Sequence, residues 1–218
     1  MARWGFFITF EGIEGSGKST LAHFLKDRLE ALGFEVVMTR EPGGTPVGER
    51  IREILLTPGL SIEPWSEVFL LLAARYENTR TVILPALQNG KIVLCDRYDD
   101  STMAYQGFGR GLPLRLLSRI NKFATLGIKP NLTFLLDLPP LSGLQRKSID
   151  ERTRFEEEQV LFHERIREGY LKLARRARKR FVVLDAQKAP EELADQAFLI
   201  TLQRLKEKGK YRGEIPPP

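Results

Sequence analysis

Nine residues, GIEGSGKST from Gly12 to Thr20, constrain this chain more than any other stretch. They stand directly behind WGFFITFE, an aromatic and β-branched run that reads as a buried strand. Beyond them, Leu21, Leu25, Leu29 and Leu32 recur at helical spacing, and Gly33 sits where a helix stops. The cluster is therefore a strand-to-helix turn, and that context decides what it can be.

Gly12, four residues, then Gly17, Lys18 and Ser19 match the phosphate-binding loop pattern. Glycines let the backbone take positive φ angles and bring its N–H groups close to an anion without a Cβ in the way. The following helix presents unpaired N–H groups and its positive dipole end to the same phosphates. Lys18 adds a full charge at the β- and γ-phosphates, and the Ser19 hydroxyl is suited to ligate Mg²⁺. Gly12, Ile13, Glu14, Gly15, Ser16, Gly17, Lys18, Ser19 and Thr20 are expected to cradle a nucleoside triphosphate.

Four further apolar runs, EVVMTR (35–40), KIVLCD (91–96), LTFLLDL (132–138) and RFVVLD (180–185), are nearly continuous rather than alternating. That is the look of strands covered on both faces. Helical segments lie between them: GERIREILL after Thr45, SEVFLLLAARYENTRTVILPALQ, and PLRLLSRINKFATLG. FEEEQVLFHERIREGYLKLARRA adds another, with Phe162, Ile166, Tyr170 and Leu173 on one face. The alternation predicts an α/β fold, a five-stranded parallel sheet flanked by helices in three layers. The 218 residues suffice for one domain with a sizeable core, placed at 1–208. The polar KEKGKYRGEIPPP leaves 209–218 as an expected flexible tail.

No apolar stretch is long enough to span a bilayer, so no membrane partner is expected. The short apolar run near the N-terminus leads into the glycine turn rather than a cleavage site, and a cytoplasmic location is expected. The single cysteine, Cys95, excludes an intramolecular disulfide framework and reads as a core residue within KIVLCD. His23 and His163, with no cysteine cluster nearby, read as surface or interface residues rather than zinc ligands. A net charge of +6 suits a binder of anions. Much of the excess lies in ARRARKR (174–180), where cations close a helix and solvate a surface. No aromatics interleave with that run, and no nucleic-acid partner is expected.

Behind the phosphate loop come TREPGGT (39–45), FLLLAAR (69–75), DRYDDSTMAYQGFGRG (96–111) and LTFLLDLPPLSGLQR (132–146). In this order and spacing the chain resembles the thymidylate kinase family, bacterial type, among the P-loop nucleoside monophosphate kinases. The resemblance runs from about residue 6 to about residue 186. It implies transfer of the γ-phosphoryl of ATP to dTMP, giving ADP and dTDP for dTTP synthesis, with Mg²⁺, in a homodimer.

Asp96 closes the third strand at the carboxyl edge of the sheet, where ligands bind, and can hold Mg²⁺ through water alongside Ser19. The resemblance gives Arg97 the acceptor phosphate, for which a guanidinium can make two parallel charge-assisted bonds. Arg75 matches the family's thymine-reading arginine. Thr102, Tyr105 and Gln106 match positions around the thymidine, with the Tyr105 ring crowding a ribose 2′-hydroxyl. Pro42 matches a residue that closes over the acceptor nucleotide. Many relatives stack a Phe or Tyr on the base four residues before this arginine. Here Leu71 offers an aliphatic surface, which shifts pyrimidine selectivity onto Arg75 and Gln106.

LQRKSIDERTRFEEE (144–158) corresponds to a short mobile lid over ATP, carrying Arg146, Lys147, Arg152 and Arg154. Arg146 and Arg154 are the candidates for the γ-phosphate, where a positioned arginine is worth about 4–7 kcal/mol. Glu14 in the loop agrees with the bacterial arrangement, which keeps its catalytic arginine on the lid. Arg146, with the turn Asp185, Ala186 and Gln187, is also the candidate for adenine. No protein nucleophile is required: Lys18, Asp96, Arg97, Arg146 and Arg154 align two nucleotides and neutralise charge. The rivals are a kinase of the same fold with another nucleoside or nucleotide acceptor, and an NTPase acting as a switch or nucleic-acid motor. The latter leaves DRYDDSTMAYQG without a task.

Overall fold

The computed structural model describes residues 4–146, 154, 155 and 158–215. Every apolar run named above forms a strand: β1 (Phe6–Glu11), β2 (Val36–Arg40), β3 (Ile92–Asp96), β4 (Leu132–Asp137) and β5 (Phe181–Asp185). They make one parallel sheet in the order β2-β3-β1-β4-β5. β1 lies at the centre with all six residues buried, as expected where helices cover both faces.

The chain leaves β1 for β2, returns through β3 on the near side, and reaches β4 and β5 on the far side. The direction of winding therefore reverses around β1, and the crevice at the carboxyl ends of β1 and its neighbours is where such sheets bind ligands. Register sets the rim: Asp96 pairs with Phe10 on one side and with Arg40 on the other. The loops that follow β1, β2 and β3 thus start at one level.

The connections are α1 (Lys18–Ala31), α2 (Pro46–Leu56), α3 (Pro64–Asn78) and α4 (Leu84–Gln88), followed later by α5 (Asp99–Thr102), α6 (Leu114–Ala124) and α7 (Pro140–Gln145). Two long helices, α8 (Val160–Arg176) and α9 (Pro190–Glu207), complete the set. Thr45 caps α2, its hydroxyl accepting from the Gly48 N–H at 2.9 Å. Wider π-type turns join α3 to α4 over Thr79–Ile83 and extend α5 over Met103–Gly109. The second of these holds Tyr105 and Gln106.

Three expectations need correction. The helix foreseen from Phe155 begins only at Val160, and Phe155 is buried against the core from a turn. The segment read as a tail makes contacts as far as residue 215. The Lys210 N–H donates to Leu205 O at 2.8 Å, and Tyr211 and Ile215 pack on the core, the Tyr211 ring 6.1 Å from Phe34. Arg180, read as part of a solvated basic run, forks onto Asp100 at 2.7 and 2.8 Å and donates to Thr133 at 2.7 Å. Cys95 is buried as expected. Among the described residues no helix is long and apolar enough to cross a membrane.

Candidate active site

The turn after β1 behaves as its composition demands. Gly12 and Gly15 stand at φ 142° and 71°, and a Cβ on either would lie 2.5 Å from Leu136 O or 2.3 Å from Gly143 O. Both the dihedral and the space require glycine. Gly17, at φ 89°, precedes the first turn of α1. Lys18 curls back across the loop, donating from Nζ to Ile13 O at 2.7 Å and to Ser16 Oγ at 3.3 Å. Burial, with Arg97 nearby, pushes its ammonium down to about 8. The Ser19 hydroxyl donates to Asp96 Oδ2. The two residues read as metal-binding thus meet, one from the loop and one from the end of β3.

Arg97 joins the two halves of the site. Its backbone sits at φ 70°, uncommon for a side chain of this size. Nη1 donates to Gly12 O at 2.9 Å and to the Tyr170 hydroxyl at 3.2 Å. Nη2 donates to Glu14 Oε1 at 2.9 Å and to the Tyr105 hydroxyl at 3.0 Å. Burial alone would raise the Glu14 carboxyl, but Arg97, Lys18 and a 2.6 Å bond from Tyr105 outweigh it and hold the group below the usual carboxylate range.

Beneath them Glu11 is fully enclosed at the end of β1. It accepts from the Tyr98 N–H at 2.8 Å and from the hydroxyls of Ser101 and Tyr170 at 2.6 and 2.9 Å. Burial, then repulsion from Asp100, push its carboxyl up to about 8.

In front of the loop opens a cavity of about 350 Å³. Gly15 and Gly17 to Thr20 line one end, and Pro42, Leu71, Arg75, Thr102, Tyr105 and Gln106 line the other, with Asp96 and Arg97 between. Arg75 is buried, and four of its five N–H groups have partners in the fold. It donates to Glu41 Oε2 at 2.6 Å, Thr102 Oγ1 at 2.8 Å, Asn121 Oδ1 at 2.5 Å and Tyr98 O at 2.8 Å. Burial raises the Glu41 carboxyl and Arg75 works against that shift. Pro42 follows a cis Glu41–Pro42 bond, and its carbonyl accepts from Arg52 at 2.9 Å.

The lid candidates divide. Arg146 bridges the phosphate loop to the turn after β5, donating to Gly15 O at 3.2 Å and to Ala186 O at 3.0 Å. Arg154 differs from expectation: it is buried, donates to Leu55 O at 3.1 Å and to Glu67 Oε2, and lies over the Phe155 ring. Its guanidinium is engaged by the enclosed Glu67 carboxylate, which also accepts from Gln106. Lys147 and Arg152 fall outside the described residues.

His163, expected on a surface, is buried beside Phe162, its Nδ1 3.8 Å from Glu14 Oε2. It shares a face of α8 with Ile166 and Tyr170, a spacing that could have placed it inside. Sequence reasoning also missed Arg40 and Arg52, both lining the cavity, and the buried partners Glu11, Glu41, Glu67 and Asn121. Only Arg40 and Glu41 carried a signal, lying within TREPGGT.

Comparison with known proteins agrees with this geometry. The thymidylate kinase family model matches residues 10–197. A thymidylate kinase of Deinococcus radiodurans is 48% identical over 201 residues, covering 92% of this chain and 98% of its own. One from Citrifermentans bemidjiense is 50% identical over 189 residues, covering 83% and 84%. The crystal structure of thymidylate kinase from Ehrlichia chaffeensis superposes with a TM-score of 0.75 at 31% identity, covering 91% of this chain and 99% of that one. With a glycine-rich turn and an arginine-lined cavity sharing one rim, and with relatives matching almost end to end, this chain belongs to the thymidylate kinase family.

Proposed function

We propose that the two ends of the cavity hold ATP phosphates and dTMP head to head, the arrangement by which this member of the family uses ATP to phosphorylate dTMP to dTDP. The observation that carries the reading is the placement of Arg97. Its guanidinium is bonded to Gly12 and Glu14 of the phosphate loop, while Thr102, Tyr105 and Gln106, a few residues on, line the acceptor end.

Loop N–H groups and Lys18 receive the β- and γ-phosphates. Arg97 exchanges its Glu14 and Tyr105 partners for the acceptor phosphate, and Arg75 and Gln106 read the base. Tyr105 lies along the sugar, Pro42 closes over it, and Leu71 flanks the ring. An oxygen of the dTMP phosphate attacks the γ-phosphorus in line while the bond to the β–γ bridging oxygen breaks. Arg146, bonded to Gly15 and Ala186, sits where the adenosine end of ATP passes.

Mg²⁺ fits the donor set. Ser19 Oγ and Asp96 Oδ2 are hard oxygen ligands already in contact, and no group of three or more His, Cys, Asp or Glu among the described residues forms a closed cage. One carboxylate and one hydroxyl, completed by water and phosphate oxygens, suit that ion, which neutralises charge on the phosphates when bound.

A homodimer is supported by an apolar surface on α3 and α6. Phe69 and Phe123 are 63% and 76% exposed, and Tyr76 stacks on Phe123 at 6.0 Å. A cytoplasmic enzyme acting on free nucleotides accords with the absence of a membrane-crossing helix among the described residues.

A coupled ADP-release assay tests the mapping. Lys18→Ala and Arg97→Ala are each expected to lower kcat/KM for dTMP by about a hundredfold or more. Arg97→Ala with unchanged KM and kcat for dTMP refutes it.

A further inference from the structure

Gln106 lines the acceptor end and is buried, yet only half of its amide is satisfied. Nε2 donates to Glu67 Oε1 at 2.7 Å, while Oε1 is buried with no hydrogen-bond partner. We infer that Glu67 is a positioning residue that fixes which end of the Gln106 amide is left for the acceptor base, and so selects bases that donate from N3. The inference rests on the reading that seats the base against Gln106.

An amide can turn over with almost no change of shape, exchanging a donor for an acceptor. What prevents this here is the chemistry of its neighbour. Glu67 lies fully buried near the start of α3, and its other oxygen receives Arg154 and, at 3.4 Å, Arg110. A carboxylate between two guanidinium groups accepts and does not donate, so the arm of Gln106 that faces it is the NH₂. The oxygen is then the acceptor left for a ligand, and the second N–H stays on the arm held at Glu67. Thymine carries a hydrogen on N3 and satisfies that oxygen. Cytosine carries a lone pair there and would leave two buried acceptors face to face, the kind of mismatch that sites with fixed polar groups reject strongly.

The test compares dTMP and dCMP as acceptors at saturating ATP. Glutamine at position 67 can donate as well as accept, so Glu67→Gln frees the Gln106 amide to face either way. The expected result is a dTMP/dCMP ratio of kcat/KM lowered by about tenfold or more, carried by a higher KM for dTMP with kcat within about threefold. In a Gln106→Leu background the same substitution should leave the ratio unchanged, because the amide through which Glu67 acts is gone. Glu67→Asp keeps an acceptor and should retain the preference even where Glu67→Gln folds poorly. An unchanged ratio in Glu67→Gln, an equal fall in the Gln106→Leu background, or a lost preference in Glu67→Asp overturns the assignment. If Gln106→Leu itself leaves KM for dTMP and the ratio at their wild-type values, the base does not lie at Gln106, and the reading beneath the inference fails with it.

Discussion

At the end of the cavity proposed for the donor, the anion site is made of backbone. Contiguous residues supply it, glycines at positive φ shape it, and one lysine adds charge. At the acceptor end the contacts come from side chains far apart in the chain. Arg75 reaches partners 23, 27, 34 and 46 residues away, and Glu67 gathers groups from 39 to 87 residues away. A backbone cradle is neutral and needs no counter-ion when empty. A buried guanidinium does need one, and Glu41 supplies it. The donor end can therefore lose its charge at the cost of catalysis alone, whereas the acceptor end is also part of what holds the fold together.

The largest expected effect tests that contrast directly. Arg75→Ala leaves Glu41 enclosed without its cation and should destabilise the ligand-free protein by about 3–5 kcal/mol. It should also abolish the rise in melting temperature expected when dTMP is added to the wild type. Lys18→Ala should do the reverse. Burial disfavours its charged form, so removing it is expected to leave the denaturant midpoint unchanged or higher while activity is lost. Equal losses of midpoint in the two variants would break the comparison.

A smaller effect concerns the floor shared by both ends. Glu11 is held at about 8 when folded, against an ordinary 4.5. Between those values the folded protein keeps a proton that the unfolded chain releases, so stability falls as pH rises from 4.5 towards 8. The slope from one such group is at most about 1.4 kcal/mol per pH unit. Asp99, raised to about 7 by burial and by Asp100, adds to it with the same sign. Lys18, lowered from 10.5 to about 8, acts only above that pH, where stability regains ground. Urea unfolding of Glu11→Gln between pH 5 and 8 should show a shallower slope than the wild type. An identical slope would place the retained proton elsewhere.

The same contrast explains what could be read from the sequence. All five strands were legible because a strand covered on both faces is a continuous apolar run, and the phosphate loop was legible because its function is contiguous. Arg75, Thr102, Tyr105 and Gln106 were reached only through resemblance, and no local pattern announced Glu67 or Asn121, whose importance comes from what the fold brings beside them. The turns over Met103–Gly109 escaped because π-type winding has no simple apolar period. Arg154 was assigned from its place in a basic segment, and a basic segment does not reveal which buried carboxylate will claim one of its members.

The smallest effect sharpens the comparison from within the acceptor end. Leu71 lies one turn before Arg75 on α3, half-buried, with its side chain lining the cavity. An aliphatic chain there can cover the base but cannot stack on it. Leu71→Phe adds a flat ring at the same place, and a well-offset aromatic pair is worth about 0.5–1.5 kcal/mol beyond area burial. KM for dTMP should fall by about two- to tenfold. Substrate and transition state hold the same base in the same place, so the gain is uniform and kcat should stay near the wild-type value. KM for ATP should not move, because the donor end is fixed by backbone that this side chain does not touch. Initial rates with dTMP varied at saturating ATP, then with the roles exchanged, decide the matter. If KM for dTMP rises, the ring crowds a cavity already filled by the aliphatic contact. If KM for ATP shifts with it, the two ends do not act separately, and the division between backbone and side-chain recognition fails at its most local point.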